Sequence, residues 1–159
     1  MNIFWLDYDL EKNVSYYCDQ HVVKMMVEYA QLLSTACRLS GLDCGYKITH
    51  VNHPCSLWVR ESLMNWKSLR EMAYCLSDEF YYRYSNAHKS FFVIRDLEVP
   101  DLPNKDLTQP LQCMPSMYKG YDLVTAYRNY YIVDKARFAR WSKRPVPSWF
   151  NYEGKLIKN

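Results

Sequence analysis

His21, Lys24 and Glu28 are three polar residues whose types and spacing could support chemistry. Intervals of three and four residues place consecutive members in contact on one face of a helix. A glutamate beside a lysine can act as a base, stabilise a developing cation, or keep the lysine amine available as a nucleophile. The alternative interpretation is an ordinary ion pair between Lys24 and Glu28 on a helix surface.

The helix expected over residues 21–38 is apolar around most of its circumference. Its polar residues fall within a roughly 100° arc when successive residues are spaced by about 100°. They are His21, Lys24, Glu28, Gln31, Thr35 and Arg38. These proportions predict a helix at the centre of the fold whose polar stripe lines a cleft. A stripe that simply faces bulk water is the alternative.

A second polar cluster, His50, Asn52 and His53, directly precedes Pro54, which is well placed as a first helical residue. Free amides at a helix start and nearby imidazoles favour an anion such as phosphate. His88 is a further candidate pocket or phosphate residue. A zinc site is an alternative, although its spacing matches no recognised signature. The ligands it would use are Cys18, His21, His50, His53 and Cys55.

The end of the chain is basic, with nine Lys or Arg residues from Lys119 onward against three acidic residues. Such a segment could meet phosphate groups, or its cations could lie on the wet side of a helix. The aromatic residues of the same region could stack on exposed bases or belong to the core. They are Trp141, Trp149, Phe150 and Tyr152.

Composition favours one compact domain, because 159 residues with 49% hydrophobic content can form a core without cross-links. Six cysteines without a CxxC pair are typical of reduced cytosolic thiols. The first residues are too acidic for a signal peptide, and no apolar run approaches the length of a membrane span. We therefore expect a cytoplasmic protein without a membrane partner.

Helical periodicity predicts three main helices. The first follows a cap at Asp9 or Asn13 and ends near Leu39, before Ser40-Gly41, and the second covers residues 54–84 with a possible break near Ser68 or Ser77. The second would bury Leu57, Leu63, Met64, Leu69, Met72, Ala73, Leu76 and Phe80.

Residues 86–120 contain four prolines and predict a long irregular connection. A third helix is expected over residues 122–141. Little in the chain indicates strands, so the expected fold is all-α: a single-domain bundle with an aromatic and basic C-terminal segment.

Three groups of residues in the chain resemble the pyrimidine-dimer DNA glycosylase family of the phage endonuclease V type. Asp19-Gln20-His21 is followed after seven residues by Glu28, as the family has Asp-Gln-His and its glutamate. His50-Val51 and the second helix continue the resemblance. The ending matches through Arg144-Pro145, Trp149, Tyr152 and Gly154-Lys155. A branch of phage proteins with segments like CDQHVVKM and THVNHP is more similar still.

The resemblance implies an all-α enzyme without a cofactor or metal, in which an amine attacks the sugar carbon of a damaged nucleotide. Glu28 would stabilise the intermediate and assist β-elimination, with His21 beside it. Double-stranded DNA would be the partner. Together, the residues and the resemblance predict substrate or DNA contacts at His50, Asn52, His53, His88, Arg38, Arg144, Trp149 and Lys155.

Residue 2 departs from the family pattern, in which removal of the initiator methionine exposes the α-amine of a small residue. Here residue 2 is Asn, whose bulk disfavours removal of Met1. The nucleophile would therefore be the Met1 amine or Lys24, or the glycosylase chemistry would be lost.

Three functions remain open from the sequence. The first is a DNA glycosylase with abasic-site lyase activity on a damaged or modified pyrimidine. The second is an enzyme on the same scaffold that modifies a base or nucleotide, as in phage DNA hypermodification, without cutting the strand. The third is a non-catalytic nucleic-acid-binding protein, whose salt-dependent binding would survive loss of Glu28.

Overall fold

Two long helices organise the core, and shorter helices pack around them. The structure is a computed structural model that describes residues 1–151, 153, 155 and 157. The helices are α1 (Leu10–Ser15), α2 (Asp19–Leu39), α3 (Pro54–Glu61), α4 (Leu63–Tyr84), α5 (Lys89–Arg95) and α6 (Leu123–Tyr130). A 3-10 turn covers Ser116–Tyr118, and a π-helical turn, Tyr131–Lys135, follows α6. The described residues contain no strand, so the all-α prediction is confirmed.

The helix α2 lies at the centre of the bundle, as its sequence predicts. It packs against α3, α4 and α5, while α1 packs against α4. Most of its apolar residues are buried, including Met25, Met26 and Tyr29. Val23 and Val27 are exceptions, because they are 43% and 36% exposed beside the exposed Lys24. The water-facing side of α2 is therefore wider than the polar stripe alone predicts.

The predicted helix over residues 54–84 is wrong in one respect, because it is two helices. Ser62 has extended backbone angles and caps α4, its hydroxyl accepting from the Asn65 N–H at 3.0 Å. A side-chain acceptor of this kind replaces the bond that a continuous helix would make. Leu57 and Met64, expected in the core, are 50% and 42% exposed on either side of this break.

Other boundaries also differ from the prediction. Tyr16–Cys18 interrupts the first predicted helix, and Asp9 caps α1 by accepting from the Lys12 N–H. The irregular connection contains α5, whose seven residues are too few to show a clear period. The third helix ends at Tyr130, where the π-helical turn begins, rather than continuing to Trp141.

Buried tyrosines connect the N-terminal segment to the helices. The hydroxyl of Tyr17 donates to the Phe4 carbonyl at 2.6 Å and lies 2.6 Å from the hydroxyl of Tyr29. Burial raises the pKa of Tyr29 well above its usual value, so this phenol stays protonated. The amide oxygen of Asn13 accepts a hydrogen bond from the Leu6 N–H at 2.6 Å. These bonds hold residues 1–6 against α2.

None of the described helices combines the length and the apolar character needed to cross a membrane.

Candidate active site

Glu28 lies at the floor of a small concavity at the middle of α2. Its side chain is only 10% exposed, and two amines approach it from opposite sides. The Met1 α-amine lies 3.8 Å from Oε2, and the Lys24 Nζ lies 3.3 Å from Oε1. The backbone N–H of Asn2 donates to Oε2 at 3.0 Å. The carboxylate is thus held among donors and sheltered from bulk water.

The side chain of Asn2 fixes the first residue over this carboxylate. Its Nδ2 donates to the Cys113 carbonyl at 2.8 Å, and its Oδ1 accepts from the hydroxyl of Tyr127 at 2.9 Å. The same oxygen accepts from the Ile3 N–H at 2.8 Å. Asn2 is 8% exposed, so these bonds form in a setting where an unpaired amide would be costly. Together they position the Met1 amine.

The far wall of the concavity comes from the end of α6 and the π-helical turn. Tyr130 and Lys135 line it together with Met1, His21 and Glu28. Lys135 Nζ donates to the hydroxyl of Tyr130 at 2.9 Å and lies 4.2 Å from the centre of its ring. The enclosed volume is about 120 Å³. This concavity, which we call the amine cavity, therefore combines one carboxylate with three amino groups.

His21 borders the amine cavity as a neutral imidazole. Burial lowers its pKa to about 3, and the positive charges of Lys135 and Lys24 lower it further. Its Nδ1 bonds to the hydroxyl of Tyr131, and its ring stacks on Phe4 with centroids 4.5 Å apart. A neutral, clamped imidazole can position neighbouring groups and exchange a hydrogen bond. It is not a source of positive charge at neutral pH.

A larger groove of about 590 Å³ adjoins the amine cavity, and Tyr130 lines both. His53, Cys113 and Lys119 line this second space, which we call the groove. The charges of the Met1 ammonium and Glu28 both act on His53, which places His53 within electrostatic reach of the amine cavity. The structure therefore brings His53 to the same site as Met1, His21, Lys24 and Glu28.

Cys113 and Cys55 form a close thiol pair at the edge of the groove. Their sulfur atoms are 3.4 Å apart, with Cys55 donating to Cys113. That hydrogen bond lowers the pKa of the Cys113 thiol, against an opposing effect of burial, and the charges of Lys119 and the Met1 ammonium lower it further. Cys113 thus has thiolate character at the wall of the groove.

His53 and His88 are helix caps. The Nδ1 of His53 accepts from the Cys55 N–H at 3.1 Å at the start of α3. The Nδ1 of His88 accepts from the Ser90 N–H at 3.1 Å at the start of α5. Because that nitrogen is the acceptor in each ring, the neutral form carries its proton on Nε2. Burial lowers both pKa values.

His50 and Asn52 lie in the exposed turn before α3. The backbone of His50 is left-handed, with φ of 49°, and its Nδ1 lies 2.7 Å from the Thr49 hydroxyl. Its charge acts on His53, so His50 lies near the groove. His88 is away from this cluster and packs against the ring of Phe80 at 4.9 Å.

Two arginines that the sequence predicts as substrate or DNA contacts are engaged in intramolecular contacts and are partly exposed. Arg38 donates to the Tyr46 carbonyl at 2.7 Å and pairs with Asp43 at 2.6 Å. Arg144 pairs with Glu79 at 2.8 Å, and its guanidinium carbon lies 4.2 Å from the ring centre of Tyr82. Both hold loops onto the helices, and neither lines the amine cavity or the groove.

The C-terminal residues of the resemblance lie at varied distances from the site. Trp149 is half-buried, with its ring centroid 6.2 Å from that of Tyr131, one aromatic layer behind His21. Trp141 and Phe150 are buried in the core. Lys155 is exposed and pairs with Glu153. Tyr152 and Gly154 lie outside the described residues.

Four site residues, Asn2, Tyr130, Lys135 and Cys113, were not identified as such from the sequence. In the sequence, Asn2 stands out only as a departure from the family pattern. The pair Tyr130 and Lys135 carried no motif, and the π-helical turn that presents them has no simple sequence signature. The long-range contact between residues 2 and 113 could be seen only in three dimensions.

Within the described part of the chain, no three potential metal ligands of the His, Cys, Asp or Glu type come together. The Cys-His set considered for zinc is therefore not gathered at one point. Comparison of the chain with protein families, with curated proteins and with solved structures gave no match.

Proposed function

We propose that the protein is a DNA glycosylase with abasic-site lyase activity that acts on a damaged or modified pyrimidine in double-stranded DNA. The observation that carries the proposal is the meeting of the Met1 amine with the sheltered carboxylate of Glu28, at 3.8 Å. An amine next to a carboxylate is the pair that imine-forming cleavage of a glycosidic bond requires.

Of the two amines, Met1 is the better candidate nucleophile. The Met1 side chain is 2% exposed and anchors the first residue in the protein, whereas the Lys24 Nζ ends a flexible side chain that is 61% exposed. The hydrogen bonds of Asn2 also restrict the position of the Met1 amine. A fixed amine reacts with less entropic cost than one on a flexible chain. Lys24 would then bind a neighbouring phosphate.

The chemistry follows from these positions. Glu28 would accept a proton from the Met1 ammonium, and the free amine would attack C1′ of the extruded nucleotide. The base would leave with the electron pair of the glycosidic bond and take up the proton that the attacking nitrogen releases. Glu28 would then return its proton to O4′ as the C1′–O4′ bond breaks, which leaves a protonated imine between Met1 and C1′ of the opened sugar. Removal of a C2′ proton would then expel the 3′ phosphate, and hydrolysis would release the enzyme.

DNA is a fitting substrate for the charge of the site. Lys24, Lys119 and Lys135 surround the amine cavity and the groove, whose lining residues include one carboxylate, Glu28. Cations that neutralise phosphates supply most of the affinity for a DNA backbone. The amine cavity, at about 120 Å³, is the smaller of the two spaces, and the adjoining groove of about 590 Å³ offers further room for a nucleotide.

Borohydride trapping on a duplex with an abasic site tests the proposal. The wild-type protein should form a covalent adduct, and mass spectrometry should place it on the N-terminal peptide. Glu28→Gln should slow trapping by about a hundredfold or more, because a proton acceptor is lost. Lys24→Met should leave trapping in place, and Glu98→Gln, an exposed glutamate, serves as the matched control.

Absence of any adduct with correctly folded protein would contradict the proposal. An adduct on Lys24 would contradict the assignment of Met1 but retain the enzyme class. DNA binding that is unchanged by Glu28→Gln, together with no adduct, would instead support a non-catalytic DNA-binding protein.

A second candidate is an enzyme that modifies a base or nucleotide without cutting the strand. The observation that favours it is the Cys113 thiol on the wall of the groove, beside His53. It predicts an altered nucleoside in digests of treated DNA whose strands remain whole.

A further inference from the structure

The groove next to the amine cavity is large enough for a base that carries a substituent. Its volume of about 590 Å³ is in the range of about 300–1,000 Å³ that pockets for drug-sized ligands occupy. The amine cavity is about 120 Å³, and Tyr130 separates the two spaces as a common wall. A nucleotide with its sugar in the amine cavity would direct its base toward the groove.

The groove is lined by both apolar and polar side chains. Leu111, Met114 and Pro115 supply apolar surface on which the faces of a heterocycle could pack. His53 supplies a donor, because its Nδ1 is occupied by the Cys55 N–H and its proton is on Nε2. A donor of this kind suits a carbonyl oxygen of a pyrimidine ring.

Lys119 is the one charged residue among those described as lining the groove. It is exposed, no ion pair joins it to an acidic side chain of the described residues, and its charge reaches Cys113. No carboxylate lines the groove with it. Gln112 also lines the groove, but its side chain is already bonded: its Nε2 donates to the Gly120 carbonyl at 2.6 Å, and its Oε1 accepts from the Gly120 N–H at 3.0 Å. The groove is therefore complementary to a ligand with negative charge.

We infer that the groove binds an extruded pyrimidine that carries a bulky, anionic substituent on ring carbon C5, with Lys119 contacting the anionic group. This inference rests on the proposed function, because it assigns the base that the amine cavity would release. The groove has room for this substituent beside the ring. The ammonium of Lys119 would pair with the negative charge of the substituent.

The same ammonium could instead contact a phosphate of the DNA backbone, and the experiment must separate the two sources. Matched duplexes would carry thymine, a C5-carboxyalkyl uracil, or its uncharged carboxamide isostere at one position. Base release is measured under single-turnover conditions with wild type, Lys119→Met and Leu111→Trp. Lys89→Met, an exposed lysine that lines neither space, is the matched control.

The carboxyalkyl base should be released about fivefold faster than the carboxamide, the ratio expected for an exposed ion pair. Lys119→Met should reduce that ratio to about one, whereas Lys89→Met should preserve it. Leu111→Trp should slow release of both bulky bases while trapping on a preformed abasic site continues. Equal slowing of all three bases by Lys119→Met would identify a phosphate contact and overturn the inference.

The trapping assay separates failure of this inference from failure of the proposed function. Normal trapping without preference for the bulky anionic base would overturn only the inference. Without trapping, calorimetric binding of the free carboxyalkyl deoxyuridine still tests the groove. Binding that Lys119→Met weakens would support the groove as a base site, and no binding would reject both proposals.

Discussion

At the residue scale, the site depends on side chains whose polar atoms are used twice, once for the fold and once for the chemistry. Asn2 holds the N-terminal segment through its side chain and contacts Glu28 through its backbone N–H. His53 begins α3 with one nitrogen and leaves the other free for the groove. Such dual use means that substitutions there would mix loss of stability with loss of function. Lys119, which is exposed, is a cleaner probe.

His21 should make stability depend on pH. Its pKa of about 3 in the folded protein lies below the ordinary value of 6.5, so protonation favours the unfolded chain. The stabilisation is complete above pH 6.5 and is lost as the pH falls toward 3. Between pH 7.5 and 5.5 the free energy of unfolding should fall by about 1 kcal/mol from this group.

Urea unfolding of wild type and His21→Gln at the two pH values measures this contribution. The variant should lose less stability on acidification, and the remaining loss should come from His53 and His88, whose pKa values are lowered in the same direction. Equal losses in both proteins would show that His21 is solvated in the folded state.

At the element scale, local signals set the position of each helix start, and tertiary contacts set the length of each helix. Side chains of Asp9, His53, Ser62, His88 and Asp122 each accept a backbone N–H at the start of a helix. Histidine is an uncommon cap, so the sequence does not indicate that His53 and His88 begin helices. The π-helical turn after α6 widens the helix where Lys135 must face the amine cavity.

The loop after α2 should tolerate substitution at one glycine and not at another. Gly45 has φ of +73°, and a Cβ there would lie 2.3 Å from Ser34 Oγ on the buried side of α2. Gly41 has φ of +96° with no heavy atom within 4 Å of a Cβ. Both Gly→Ala changes strain the backbone, but only Gly45→Ala also overpacks the core.

Gly45→Ala should therefore lower the free energy of unfolding by about 1–3 kcal/mol more than Gly41→Ala does. Chemical denaturation of the two variants provides the comparison. Similar losses for the two would mean that the loop moves away from Ser34 at little cost.

At the scale of the whole molecule, one ion network joins the two long helices to the C-terminal segment. Arg83 on α4 pairs with Glu79 at 2.7 Å and with Asp19 at the start of α2 at 2.9 Å, and its side chain is fully buried. Arg144 adds a second cation to Glu79. Asp19 also accepts from the Ser142 N–H. The segment that contains Ser142 and Arg144 is thus tied to the fold through its polar contacts.

Arg83→Met should destabilise the protein by about 3–5 kcal/mol, because Asp19 and the buried Glu79 would lose their shared partner. Arg95→Met is the matched control, since Arg95 forms only an exposed pair with Asp96. Thermal or urea unfolding measures both. A small effect of Arg83→Met would mean that Arg144 alone compensates Glu79.

The salt dependence of DNA binding should distinguish the role of Lys135, in the amine cavity, from that of Arg144, in this ion network. Lys135→Met should reduce the slope of log affinity against log salt by about one, as expected when one phosphate contact is lost. Arg144→Met should lower stability and leave that slope unchanged, because its guanidinium is held by Glu79 and Tyr82. The reverse pattern would show that Arg144 contacts a DNA phosphate and that Lys135 does not.

The sequence by itself determined α2, because the spacing of apolar and polar residues along one helix is a local property. From it followed the all-α fold and the adjacency of His21, Lys24 and Glu28. It also indicated that Glu28 would be sheltered, which the structure bears out at 8% exposure. The break at Ser62 was within reach, since a serine three residues before Asn65 is a recognisable cap.

Only the tertiary structure decided which groups face the polar stripe of α2. The Met1 amine lies beside Glu28, and Tyr130 and Lys135 line the same cavity although they are more than a hundred residues from Glu28 along the chain. Arg144 pairs with Glu79 for the same kind of reason, because Glu79 is buried and the chain brings a second cation to it from 65 residues away. Periodicity records which side of a helix is buried, and it carries no information on which distant segment covers that side.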